Sequence, residues 1–207
     1  MAIESKKGQG LLEMIIAIGI ILTGLFSTVT LVTASLNAAG ESAARLGAVN
    51  LAREGVEVSR SIRDSNWLAG AVWNSGLAGA GSDRIGTLIF NYNAGSWSFN
   101  FSASAITEDA AKIYIGTGDL NPARNVFAQF SGAPAPDFRD TGMRRIVYLY
   151  PICRDNAGNE SVVDSSETAD CPVGFTEIGV DIRSTASWRV RDATKSVTVE
   201  EKIYDWR

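Results

Sequence analysis

At 207 residues, 45% of them hydrophobic and 20% charged, the chain is long enough for one ordinary domain plus an appendage, and its composition is not that of a disordered protein. A net charge of −4 offers no broad electropositive surface for nucleic acid, and the absence of histidine removes the Ser-His-Asp and Cys-His nucleophiles, the His-bearing zinc motifs and the commonest general base. Two cysteines, Cys153 and Cys171, are too few for an all-cysteine tetrahedral metal site, so they read as a disulfide, which implies an oxidising compartment outside the cytoplasm.

The first element in chain order is apolar. From Met14 to Gly40 no residue is charged. About 20 helical residues rising about 1.5 Å each cross a bilayer's hydrocarbon core. Residues 9–34 are therefore read as a transmembrane helix. Lys6 and Lys7 hold its leading end on the cytoplasmic side and send the remainder outward. Glu13 stands at the head of this run, where a carboxylate costs less than the roughly 2.5–3.5 kcal/mol of the bilayer centre. Two readings are open: a wet interfacial carboxylate without a role, or a charge balanced by a partner. A secretory signal is the rival for the whole segment, because Val32-Thr33-Ala34 before Ser35 approximates a small-x-small cleavage site. Against it, the run exceeds the roughly 7–15 residues of a signal's apolar region, and a glutamate at its start is out of place.

Lys6-Lys7-Gly8-Gln9-Gly10-Leu11-Leu12-Glu13, followed by the apolar helix, resembles the class III leader of type IV pilins and pseudopilins. In that family a short basic leader ends in glycine, a prepilin peptidase cuts after it, and a glutamate stands fifth in the mature chain. The resemblance implies a leader over residues 1–8, cleavage between Gly8 and Gln9, and methylation of the new amine. It gives Glu13 a part in assembly: its carboxylate pairs with the α-amine of Gln9 on a neighbouring subunit, and two buried charges compensate. Gln9 stands where phenylalanine is common, Gly10 where a hydroxyl residue is usual, and the anchor lacks a mid-helix proline. Gly19 and Gly24, among Thr23, Ser27 and Thr28, either permit bending or close helix contact or simply fill out an ordinary anchor. The implied partners are a prepilin peptidase, other pilin or pseudopilin subunits, an inner-membrane assembly platform and membrane lipid, with no nucleic acid expected for this subunit alone. The implied location is the inner membrane, crossed once with the C-terminal domain outside, and after assembly a pilus or pseudopilus.

Beyond the anchor, SLNAAGESAARLGAVNLAREGVEVSRSIRDSNWL is rich in alanine and alternating charge, and no proline occurs before Pro122. Residues 35–66 are read as an amphipathic continuation of the helix. Ala48, Leu51, Gly55, Val58 and Ile62 share one side, and Arg53, Glu54, Glu57, Arg60 and Asp64 the other. Arg53 with Glu57 and Arg60 with Asp64 are i,i+4 pairs worth a few tenths of a kcal/mol each on a solvated face. A helix from about Leu11 to about Ser65 would be on the order of 80 Å long. Gly40, Gly47 and Gly55 each lower helix propensity by about 1 kcal/mol, and a break near Gly40 would follow naturally. LAREGVEVSRSIRDSNWL is also similar to the second half of the stem in a group of bacterial prepilin-like proteins.

Residues 67–84, rich in glycine and alanine, read as a linker. Residues 85–207 then read as a β-rich extracytoplasmic domain. Leu88, Phe90 and Tyr92 alternate, as do Trp97, Phe99 and Phe101, across Asn93-Ala94-Gly95, a hairpin pattern. Further strands are expected at Ala111 to Ile115, Val126 to Phe130, Arg145 to Ile152, Glu177 to Arg191 and Lys195 to Ile203. The expected fold is α+β and pilin-like: a long N-terminal helix packed against an antiparallel sheet. Trp188 and Trp206 read as core or sheet-face residues. A Cys153–Cys171 bridge would stabilise by about 3 kcal/mol in the chain-entropy account. Between them Asp155, Asn156, Asn159, Glu160 and Asp164 are candidate calcium ligands without EF-hand spacing, or else a solvated loop.

No phosphate loop and no GxGxxG occurs, and Gly116-Thr117-Gly118-Asp119 reads as a turn. No catalytic residue, cofactor or resident metal is picked out. The expectation is a non-catalytic filament subunit. Its rival is a tethered or secreted adhesin that uses the aromatic hairpin as its surface and never polymerises. An acidic-residue hydrolase has no pair that spacing can select.

Overall fold

A computed structural model describes residues 7–79, 83–91, 94–117, 125–164 and 170–206, with side chains from Gly10 onward. One helix, α1 (Lys7–Ala69), takes up 63 residues. Its alanine-rich, proline-free sequence carries helical hydrogen bonding through Gly40 without a break, and past Asn66 into the stretch read as linker. The stop missed by that reading is Gly70. With φ at +68° it takes the left-handed conformation, its N–H donates to Trp67 O at 3.1 Å, and Ala71 N–H donates to Asn66 O at 2.9 Å. These are the paired bonds of a Schellman cap. Asn66 Nδ2 then donates to the carbonyls of Trp73 and Ser75, at 2.9 and 2.8 Å, and ties the turn to the helix end.

The chain divides into two units, residues 1–44 and 45–207. Among its described residues the first unit holds α1 alone.

Among its described residues the second unit contains the last part of α1 and eight strands: β1 (Ile85–Asn91), β2 (Ser96–Asn100), β3 (Lys112–Gly116), β4 (Phe127–Ala128), β5 (Phe138–Arg154), β6 (Glu160–Val162), β7 (Thr176–Val190) and β8 (Ala193–Tyr204). They form an antiparallel sheet organised around β5. Along one edge β5 pairs in turn with β3, β1 and β6; along the other it pairs with β7, which pairs with β8. The β1–β2 hairpin has Phe90 opposite Trp97 and Leu88 opposite Phe99, the alternation expected from sequence. Tyr92 and Asn93 of its turn lie outside the described residues, as do Pro122, Gly118 and Asp119.

The core lies between the last part of α1 and the sheet. Val56 and Val58 meet Leu88, Val147, Leu149, Val180, Ile182 and Ile203, with Trp67, Trp73 and Leu77 closing one end. Gly55 permits this approach: a Cβ there would collide with the Ser184 hydroxyl and lie 2.9 Å from Ser184 Cβ and 3.1 Å from Val147 Cγ2. Gly55, which weakens the helix in isolation, is what lets it reach the sheet.

Several sequence expectations need correction. β5 starts at Phe138 rather than Arg145, and β4 is confined to Phe127–Ala128. Residues 160–162, read as part of a polar loop, form β6, because the chain reverses at a turn in which Gly158 has φ of +90°. Arg60 pairs with Glu57 and Glu201 rather than with Asp64, and Asp64 pairs with Arg63. Trp188 is buried as expected, but Trp206 is 68% exposed, beyond the end of β8 and edge-on to Trp67.

Candidate membrane and assembly segment

Residues 10–44 lie within a helix that is long and apolar enough to cross a membrane by length and composition. Every large apolar side chain from Leu11 to Leu36 is exposed, Phe26 at 72%. Nothing in the described chain covers them. Five hydroxyls of this stretch are closed within the helix: Thr23 donates to Ile20 O at 2.9 Å, Ser27 to Thr23 O at 2.8 Å, Thr28 to Gly24 O at 2.7 Å, Thr30 to Phe26 O at 2.8 Å and Thr33 to Val29 O at 3.0 Å. An unsatisfied hydroxyl is costly in hydrocarbon, and back-bonding of this kind to the i−3 or i−4 carbonyl lets threonine and serine sit there. Gly10, Gly19, Gly24 and Gly40 would meet no atom within 4 Å if given a Cβ, so packing within this chain does not require glycine at these positions.

Glu13 sits on this helix, exposed, three residues past Gly10. The backbone of Gly8 and Gln9 is helical, and the side chain of Gln9 lies outside the described residues, as do residues 1–6. Val32-Thr33-Ala34, the rival cleavage site, is also within α1.

The second unit is held to its helix by a buried charge that sequence reasoning placed elsewhere. Arg145, 2% exposed, donates from Nη1 to Leu51 O at 3.1 Å and to Glu54 Oε2 at 2.5 Å, and from Nε to Gln129 Oε1 at 3.1 Å. Gln129 returns its Nε2 to the carbonyls of Ala111 and Arg145, at 3.0 and 2.9 Å. Burial pushes the guanidinium below its usual value, and the Glu54 carboxylate opposes that shift. Local pattern alone puts Glu54 on a solvated face. Its partner lies 91 residues away, and no local pattern announces it.

The disulfide between Cys153 and Cys171 is formed, with Cα atoms 5.5 Å apart. Beside it Arg84, also 2% exposed, donates to Glu177 at 3.1 Å and to Asp170 at 3.2 Å. The carboxylates considered for calcium are engaged within the protein. Asp155 accepts from the N–H groups of Ala157 and Asn159 and from Asn159 Nδ2, all at 2.8 Å, which holds its carboxyl below the usual range. Glu160 pairs with Arg154 at 2.7 Å and Asp164 with Arg183 at 3.2 Å. Among the described residues no group of three or more Asp, Glu or Cys is placed to hold a metal ion. Of the hairpin aromatics, Trp97, Phe99 and Phe101 are half-buried and pack against the core.

Searches against protein-family models, curated proteins and solved structures find no match to this chain.

Proposed function

We propose that the chain is a non-catalytic structural subunit of a type IV pilus or type II-like secretion filament, trimmed after Gly8 by a prepilin peptidase. The observation that carries this reading is an exposed apolar stretch of α1, Leu11 to Leu36, with Glu13 at its head, preceded in the sequence by Lys6-Lys7-Gly8. Fully burying a Leu, Ile or Phe side chain gains about 1.5–3 kcal/mol, so a row of them calls for lipid before assembly and neighbouring helices after it. Head-to-tail contacts between copies generate an open helical polymer when the rotation does not close. Glu13 would then meet the α-amine of Gln9 on the next subunit, and glycines 19 and 24 would let helices approach closely. The second unit, with its disulfide, would face an oxidising exterior.

The test is Glu13→Ala in a host that supplies the peptidase and the assembly platform, comparing membrane-inserted and filament-incorporated protein. The reading expects normal insertion with incorporation lost. A simple tether tolerates the change, and unaltered incorporation would count against polymerisation through Glu13.

A further inference from the structure

Among the described residues β8 pairs on one side only, with β7, and its other side is an edge of the sheet. Which groups it turns outward follows from one bond. Asp205 N–H donates to Ile178 O at 2.9 Å, which makes those two residues a hydrogen-bonded pair of the antiparallel ladder. Counting back by twos along the register, Ile203, Glu201, Val199, Val197 and Lys195 bond to β7, and Thr194, Ser196, Thr198, Glu200 and Lys202 turn their N–H and C=O groups to the open edge. All five of the latter residues are exposed. Arg63 Nη1 donates to Tyr204 O at 3.5 Å and closes the edge beyond them. Such a row of backbone groups is a template for another strand.

The side chains select the occupant. On the face toward α1, β8 carries Lys195, Val197, Val199, Glu201 and Ile203 in that order. Two copies of β8 paired antiparallel about Thr198 set Lys195 opposite Glu201 and Val197 opposite Val199, each twice, at the non-hydrogen-bonded positions where facing side chains come closest. Thr198 then meets its own copy in a hydrogen-bonded pair, the phase that the outward N–H and C=O groups require. Centring the pair on Glu200, Glu201 or Lys202 opposes like charges, and centring it on Val199 sets Val197 against Glu201. We infer that the open edge of β8 is an interface for β8 of a second copy, antiparallel and centred on Thr198. The helices leave room for it. α1 lies over β7, with Gly55 against Ser184, and the step from one β7 across both β8 strands to the other is about 14 Å, wider than a helix of roughly 10–12 Å. β8 runs in the same direction as residues 45–69 of α1: Gly55 lies at Ser184, the ladder partner of Val199, Arg60 pairs with Glu201 and Arg63 reaches Tyr204. The pair therefore sets these stretches of the two copies in opposite directions, unlike the head-to-tail contact of a filament, and the interface is independent of the filament reading.

The test uses the full chain in detergent micelles and follows disulfide-linked dimers on non-reducing gels after mild copper oxidation. Thr198→Cys should cross-link to itself, because a hydrogen-bonded pair holds Cα atoms about 5.5 Å apart, within the roughly 4.4–6.8 Å of a disulfide. Ser196→Cys should not, since the pairing sets the two copies of that residue about 13 Å apart at about 3.3 Å per residue. Glu200→Cys should not cross-link to itself either, whereas a mixture of these last two variants should. In the Thr198→Cys background Lys195→Glu and Glu201→Lys should each lose the dimer, and mixing the two should restore it, because each charge then faces its opposite. Should Glu201→Lys not fold, since Glu201 also receives Arg60, the mixed cysteine pair carries the test. Cross-linking of Thr198→Cys no faster than that of Ser196→Cys, no dimer from the mixed cysteines, or a dimer insensitive to charge reversal would overturn the proposal.

Discussion

Residues 10–44 and 45–69 belong to one helix, yet their apolar side chains have different surroundings. In the first stretch Leu11 to Leu36 are exposed on every side; in the second Leu51, Ala52, Val56 and Val58 are buried on the sheet, with Arg53 and Glu57 on the opposite face. A helix that is one-sided in hydrophobicity finds its cover within its own chain, whereas one that is apolar all round needs a nonpolar solvent or a bundle. Glycine follows the same division. Gly55 is required by a neighbouring strand, while Gly19 and Gly24 are required by nothing in this chain.

This contrast can be broken from either side, and the largest effect should come from the buried charge. Glu54→Ala leaves the Arg145 guanidinium without its carboxylate and should lower the stability of the second unit by about 3–5 kcal/mol, read by urea unfolding, with membrane insertion unaffected. Ile21→Arg, within the apolar run, should do the reverse. It opposes insertion by about 2.5–3.5 kcal/mol, read by membrane fractionation, and leaves the unfolding midpoint in place. Next in size is the disulfide: replacing Cys153 and Cys171 by alanine should cost about 3 kcal/mol in the same unfolding measurement. Gly55→Ala should then cost about 1–3 kcal/mol, because a strand residue cannot retreat from the added methyl. Gly24→Ala, by contrast, should leave the unfolding curve unchanged.

The smallest effects concern pH. Burial raises the Asp181 carboxyl above its ordinary value although Arg183 lies 2.8 Å away. The folded chain takes up that proton first, so this group's contribution to stability rises as pH falls through the folded value and is complete below the unfolded one. Asp181→Asn should accordingly be more stable than the parent at neutral pH and lose that advantage on acidification. Asp155 has the opposite sign. Its depressed value gives a contribution present above the unfolded value and lost as pH falls through the folded one, which Asp155→Asn should remove. Melting temperatures across the acid range would separate the two.

Much of this architecture was legible because it rests on local periodicity. Val180, Ile182 and Ala186 alternate onto one face, and the strand they predict, Glu177 to Arg191, lies one residue from the observed Thr176–Val190. The apolar, uncharged first half of α1 was legible from composition alone. What escaped notice depended on distant partners. Arg145 reads as a strand-end charge until Glu54 and Gln129 converge on it. Trp206 was misplaced because large aromatics usually fill cores, whereas it stands beyond Tyr204, where β8 ends. The helix stop at Gly70 is a conformational property of one residue, and the alanine-rich surroundings hid it.

The central claim is that the apolar half of α1 is retained and exposed at a new N-terminus for contact with other copies. Intact mass spectrometry of the chain extracted from membranes of a host with prepilin peptidase addresses it most directly. The account predicts a polypeptide beginning at Gln9. A polypeptide that keeps Met1 through Gly8, or one that begins at Ser35 without the apolar segment, would contradict it.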